Sequence, residues 1–184
     1  MVNVLFAEGF EEIEALTVVD MLRRAEIEVN MISADGKQSV KGAHGIEVIM
    51  DADISGVKDG EMIFLPGGIP GVPNLAENSK VVALINEYYN SDKYIAAICA
   101  APSILGALGM LDGKEATCYP SFSNKLGNGK YTDTEVTVDG KIITSKAAGT
   151  AMEFSFKLIE ILKNKEIADK VKNSVYYRWF YEKK

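Results

Sequence analysis

Tyr94-Ile95-Ala96-Ala97-Ile98-Cys99-Ala100-Ala101-Pro102 is the stretch on which the fold turns. Its first part is uncharged and carries β-branched Ile95 and Ile98, which reads as a strand buried on both faces. Pro102 suits the first turn of a helix, where its missing N–H costs nothing. Ala97 and Ala101 flank Cys99 at −2 and +2, the small-residue spacing of a nucleophile elbow, a tight strand-to-helix turn with no space for larger groups. A thiol placed there faces the positive end of the helix dipole, which predicts a lowered thiol pKa. The plain alternative is a buried apolar cysteine, common in parallel strands.

Outward from this stretch, strand and helix patterns alternate. On its N-terminal side, Met62 to Leu65 is a very apolar strand closed by Pro66-Gly67-Gly68. Ser79 to Tyr89 has helical spacing, with Ser79 as N-cap and Val81, Val82, Leu84, Ile85 and Tyr88 on the buried side. Val2 to Ala7 is an apolar strand, Glu11 to Ala25 a helix with Val18, Met21, Leu22 and Ala25 in one stripe, and Ile27 to Ala34 a strand again. Strand, helix and strand within ~30 residues make a right-handed βαβ unit with parallel strands. Ile46 to Met50 is a further short strand. On the C-terminal side, Pro102 to Met110 is a helix, Asp139-Gly140 joins a hairpin of Thr134 to Asp139 and Lys141 to Ser145, and Gly149 to Lys163 is the last long helix. The pattern predicts a single domain over residues 1–184: a doubly wound α/β sandwich with a mostly parallel sheet, its chemistry beyond the carboxyl ends of the strands.

Composition narrows the function. The 184 residues carry 47% hydrophobic and 25% charged side chains, the balance of a globular protein with a full core. Net charge is −6 and no Lys/Arg cluster appears, which argues against a nucleic-acid or anionic-membrane surface. No apolar run approaches the ~18 residues of a membrane span, and Met1 to Phe6 reads as a strand rather than a signal peptide. Two cysteines, Cys99 and Cys118, do not suggest a disulfide scaffold, so a cytoplasmic setting with reduced thiols is expected. A single histidine leaves almost no room for a His-based metal site, and no metal or cofactor is expected.

Several residues at the strand ends carry possible chemistry. Pro66-Gly67-Gly68-Ile69-Pro70-Gly71 matches neither phosphate-binding glycine pattern, which argues against nucleotide binding. Beside an elbow thiol, a Gly N–H of this loop and the Ala100 N–H suit an oxyanion; a plain turn is the alternative. Glu14 shares the helical arc of Val18, Met21 and Ala25 and so faces the sheet, where a buried carboxyl has a raised pKa and can move protons. A carboxylate answering the helix dipole is the other reading, which Glu11 and Glu12 fit better. Cys118 reads best as structural. Tyr119 offers either a phenol hydroxyl to the site or a half-buried core ring. His44 sits in a turn context between Ala43 and Gly45, where a solvated loop residue is the natural reading. The aromatic tail from Val175 to Tyr181 packs on its own domain by default, or docks a second subunit.

With Glu11-Glu12-Ile13-Glu14, Phe64-Leu65-Pro66-Gly67-Gly68 and Ala96-Ala97-Ile98-Cys99-Ala100-Ala101-Pro102 in this order, the sequence resembles the DJ-1/ThiJ/PfpI superfamily, in its DJ-1-like branch. The resemblance runs from Val2 to Phe154. It implies a flavodoxin-like sandwich, usually a homodimer, with Cys99 as reactive cysteine, Glu14 as its protonated partner, and Gly67, Gly68 and Ala100 as backbone donors. Two departures stand out. Tyr119 replaces the histidine that many relatives carry near the cysteine, and Ala147-Ala148 replaces Gly-Pro before Gly149-Thr150-Ala151. If the family's subunit seam is used, His44 lies near the partner's Glu14 helix, where a carboxylate would raise its pKa.

The function expected from the resemblance is cysteine-dependent chemistry on small reactive carbonyls, either a cofactor-independent glyoxalase or a deglycase. A non-enzymatic redox-sensing or chaperone-like stress protein, working through oxidation of Cys99, is the rival. An amidase or protease comes third, because a Cys-His pair within one subunit would have to use His44.

Overall fold

All five residues of β1 (Val2–Phe6) are buried, because helices cover both faces of the sheet in which this strand is central. The computed structural model describes residues 1–177; Arg178 to Tyr181 of the aromatic tail lie outside the described residues. The remaining strands are β2 (Val29–Ser33), β3 (Ser39–Lys41), β4 (Glu47–Ile49), β5 (Ala52–Asp53), β6 (Met62–Leu65), β7 (Tyr94–Ile98), β8 (Glu115–Ala116), β9 (Lys130–Tyr131), β10 (Val136–Asp139) and β11 (Ile142–Ser145). The helices are α1 (Glu12–Arg24), α2 (Gly71–Glu77), α3 (Ser79–Asn90), α4 (Pro102–Ala107), α5 (Ala151–Leu162) and α6 (Lys165–Ser174).

Seven strands form the main sheet in the order β10-β11-β7-β6-β1-β2-β5, parallel except for the β10–β11 hairpin. From β1 the chain runs outward to β2 and β5, then crosses back to β6 on the other side of β1. That reversal is the topological switch point, where ligands of such sheets bind. Register sets the site: Leu65 pairs with Ala97, so two residues further on Gly67 comes beside Cys99.

Alternation along the strands divides the core. Val4, Phe6, Phe64, Ala96 and Ile98 point to the layer of α1, α5 and α6, where Val18, Leu22, Phe154 and Leu158 meet them. Leu5, Ile63, Leu65, Ile95 and Ala97 point to the opposite layer, against Leu75 of α2, Val81 and Ile85 of α3, and Ile104 of α4. Asn3, fully buried in β1, donates to the Tyr88 hydroxyl at 2.8 Å and to the Lys58 carbonyl at 2.9 Å. No helix among the described residues is long and apolar enough to cross a membrane.

The structure departs from the sequence reading at short elements. The strand expected at Ile46 to Met50 is β4, which pairs with β3 in a separate antiparallel hairpin rather than joining the main sheet. Helix α2 hides behind Gly71 and Pro73, which both read as breakers; Pro73 is tolerated because it falls in the first turn. Helix α4 ends at Ala107 rather than Met110, and Gly109 beyond it takes a positive φ of 71°. The cap of α3 is Asn78, not Ser79: its Oδ1 accepts from Lys80 N at 3.0 Å and Val81 N at 3.3 Å, while its Nδ2 donates to the Ala34 carbonyl at 2.7 Å. Asn78→Ala is therefore expected to cost about 1–2 kcal/mol in urea unfolding, whereas Ser79→Ala stays within about 0.5 kcal/mol. Equal costs would return the cap to Ser79.

Candidate active site

Cys99 follows directly on β7 with φ of +65°, a left-handed conformation uncommon outside glycine. Two backbone bonds hold it there: Cys99 N–H donates to the Ser145 carbonyl at 2.9 Å, and Tyr119 N–H donates to the Cys99 carbonyl at 2.8 Å. Ala97 and Ala101 are fully buried, which accounts for their small size, and Pro102 opens α4. This is the elbow geometry, with the cysteine half-buried and packed against both core layers.

Glu14 comes up from α1 beneath it, 1% exposed. Its Oε2 accepts from Gly67 N–H at 3.0 Å, and its carboxyl lies against the Cys99 thiol across Gly67. A Cβ on Gly67 would overlap the Glu14 carboxylate and stand 2.6 Å from Cys99 Cβ, so only glycine fits between the two. Burial, helped by the neighbouring Glu11 charge, pushes the Glu14 carboxyl up to about 7 against the opposing hydrogen bonds.

The Cys99 thiol moves upward rather than downward. Burial is the main cause and the Glu14 charge adds to it, while the Ala100 N–H facing the sulfur opposes both. The six-residue α4 is too short for its dipole to reverse this. Two negative charges are thus disfavoured in the site. Once the first proton leaves, near 7, one proton remains for carboxyl and thiol together.

The other expected site residues fall at different distances from this centre. Gly68, at φ of +102°, packs its backbone so tightly on Phe10 and Glu11 that a side chain has no room. Its N–H meets no protein acceptor among the described residues, whereas Gly67 N–H is engaged by Glu14. Tyr119 touches Cys99 through its backbone, and its ring is half exposed. Cys118 is fully buried, its thiol pushed up to about 11 by burial, as a structural cysteine should be. His44 is an exposed loop residue, yet not a free one: Nδ1 lies 2.7 Å from Glu12 Oε2, and His44 N–H donates to Glu12 Oε1 at 2.6 Å. The carboxylate that raises the His44 pKa is thus Glu12 of its own chain, which removes the need for the partner carboxylate expected from the family's seam.

Glu12 is the residue that sequence reasoning missed. Its place in the first turn of α1 reads as a carboxylate answering the helix dipole, but the β3–β4 loop covers it and leaves it 4% exposed. No local pattern announces a contact made by a loop more than thirty positions away. Glu11, Glu12 and His44 bring ligand atoms within 4.8 Å of one another, but Glu12 and His44 already satisfy each other. Two clefts of about 560 Å³ lie elsewhere, one between the 54–59 loop and α3, the other at the amino ends of β7 and β11. Neither includes Cys99 or Glu14.

A cysteine at positive φ beyond the carboxyl end of a parallel strand, set against a buried carboxyl, defines a flavodoxin-like protein with an elbow cysteine. The chain belongs to the DJ-1/PfpI family, whose model matches residues 1–161. It is 38% identical over 176 residues to Protein DJ-1 homolog B of Arabidopsis thaliana, covering 94% of this chain and 40% of that protein. The chain therefore spans less than half the length of this plant relative. It is 35% identical over 163 residues to Glutathione-independent glyoxalase DJR-1.2 of Caenorhabditis elegans, covering 86% of each. Among solved structures it is similar to oxidized DJ-1 of Toxoplasma gondii, with TM-score 0.92, 37% identity, and 96% and 97% of the two chains covered.

The geometry sets an order of thiol reactivity. Limiting iodoacetamide at neutral pH should label half-buried Cys99 well ahead of fully buried Cys118, and the Cys99 rate should keep rising with pH above about 7, because the proton lost there is the Glu14 carboxyl's while the thiol is pushed up. Peptide mapping that found Cys118 modified first would contradict the assignment.

Proposed function

We propose that the chain is a cysteine-dependent enzyme acting on small reactive carbonyls, with 2-oxoaldehydes such as methylglyoxal as substrates and no cofactor. The observation that carries this reading is the close approach of the Cys99 thiol and the buried Glu14 carboxyl, with only Gly67 fitting between them. The similarity to a glyoxalase that does not depend on glutathione supports it.

In this reading the reacting form of the singly protonated pair has the proton on Glu14 and the charge on Cys99, the minor form, because burial and the Glu14 charge raise the thiol more than the carboxyl. The thiolate adds to the aldehyde carbon, and the new alkoxide, received by the Gly68 and Ala100 N–H groups, takes up a proton to give a hemithioacetal. Glu14, now ionised, removes the hydrogen from the former aldehyde carbon, and a proton returns to the adjacent carbon, leaving a thioester of lactate. Water hydrolyses the thioester and frees lactate and the thiol. The oxidation of one carbon balances the reduction of its neighbour, so no external electron acceptor is needed. Release of an amine from its glycated form is a second outlet for the same hemithioacetal chemistry.

The rival reading, a redox sensor, draws on the same accessible thiol and on the oxidized state named for the Toxoplasma gondii relative. The amidase reading loses support, because His44 is hydrogen-bonded to Glu12 rather than placed beside Cys99. A homodimer belongs to the proposal: exposed Ile13 on α1 and exposed Ile46 and Ile49 on the β3–β4 hairpin offer apolar surface to a second copy. Two free thiols suit a reducing compartment such as the cytoplasm.

Lactate formation from methylglyoxal without glutathione tests the reading. Cys99→Ser should abolish it, and Glu14→Gln should lower kcat by roughly 100-fold or more. Activity that survives both substitutions excludes the mechanism. A mass gain of two oxygens on Cys99 after mild peroxide, with negligible turnover, would favour the sensor.

A further inference from the structure

We infer that Glu11 is a specificity-determining residue that turns the Cys99 site against anionic substrates and toward uncharged or cationic carbonyls. The inference rests on the carbonyl reading above and adds to it the charge class of the substrate. Its ground is the way Glu11 is fastened. Its backbone N–H donates to the Gly67 carbonyl at 2.9 Å, and Gly68 packs directly on that nitrogen, so the residue is clamped to the loop that supplies the site's backbone groups. Its Oε2 accepts from Glu14 N–H at 2.7 Å as the cap of α1, which fixes the carboxylate just above the buried Glu14. The side chain is 15% exposed and thus poorly screened by solvent.

Among the described residues no lysine or arginine pairs with this charge, and only His44 comes near it. His44 approaches Glu11 Oε1 only to 4.0 Å while holding Glu12 at 2.7 Å, and its side chain is 70% exposed. Lys146, which follows β11 on the rim of the site, is turned away to Asp133, whose carbonyl and carboxylate it meets at 2.9 and 2.7 Å. The Glu11 charge accordingly bears on both Glu14 and Cys99. A carbonyl that also carries a carboxylate or phosphate would bring a second negative charge into this field as it reached the sulfur. A neutral 2-oxoaldehyde meets no such barrier, and a carbonyl attached to an amine is drawn in.

A matched pair of alkylating agents reads the field at the sulfur. Iodoacetamide and iodoacetate react with a thiolate by the same displacement, carbon–sulfur bond formation with loss of iodide, and differ mainly in charge. Their rate ratio cancels any change in thiolate fraction. At about pH 8, the iodoacetamide-to-iodoacetate ratio for Cys99 should exceed that of N-acetylcysteinamide by roughly three- to tenfold, the size expected for one poorly screened charge nearby. Glu11→Gln, which keeps an acceptor oxygen for the cap, should bring the ratio down at least about threefold. In the unaltered protein the ratio should also fall in ~1 M salt, where the screening length is ~3 Å, a response that loss of folding or of the cap would not produce. A wild-type ratio equal to that of the free thiol, one that Glu11→Gln leaves unchanged, or one indifferent to salt overturns the inference. Alkylation needs only the thiol, so this result stands apart from whether methylglyoxal is turned over.

Discussion

The contact of the Glu14 carboxyl, which accepts from Gly67 N–H, with the Cys99 thiol is the constraint around which the rest of the molecule is arranged. It needs α1 to deliver a carboxyl into the sheet, β6 to end at Leu65 so that a side-chain-free residue lies beside the cysteine, and β7 to stop one residue short of it. The parallel register of β6 and β7 brings those ends together, and the crossover from β1 through α1 supplies the carboxyl from below. A Cβ at Gly67 would separate the two reacting groups.

Such a site opposes folding. A buried carboxyl loses hydration, and a non-glycine residue at φ of +65° costs of order 1–3 kcal/mol. The surrounding structure holds both in place through fixed hydrogen bonds, from Cys99 N–H to the Ser145 carbonyl, from Tyr119 N–H to the Cys99 carbonyl and from Gly67 N–H to Glu14. The buried, largely apolar strands β1, β6 and β7 then provide the hydrophobic stabilisation that offsets the cost. Glu11 works on a second level: by capping α1 it fixes where Glu14 sits, and by its charge it colours the approach to the sulfur.

The fold and the centre of the site were legible in the sequence because they rest on local patterns. The uncharged run into Cys99, the alanines at −2 and +2, and the arc of Glu14 with Val18, Met21 and Ala25 each follow from strand or helix periodicity. What escaped depends on contacts between distant segments. Asn78 caps α3 partly because it also reaches Ala34, and Glu12 is buried only because the β3–β4 loop folds over it. The direction of the Cys99 shift departs from the sequence expectation for the same reason: a helix start is visible in sequence, but the burial and the Glu14 charge that outweigh it come from tertiary packing.

The central claim is that Glu14 is held in a place where its charged form is disfavoured, and stability against pH tests it most directly. The folded-state pKa of about 7 lies above the ordinary value of 4.5, so the folded protein binds this proton more tightly than the unfolded chain does. Stability due to Glu14 is then fully present below about 4.5 and is lost as pH rises through about 7. The measurement is urea unfolding of the wild type and Glu14→Gln at about pH 4 and about pH 8. The stability difference between the two should shift in favour of the glutamine variant by roughly 3 kcal/mol between those pH values. A difference that stays constant with pH, or moves toward the wild type as pH rises, would contradict the account.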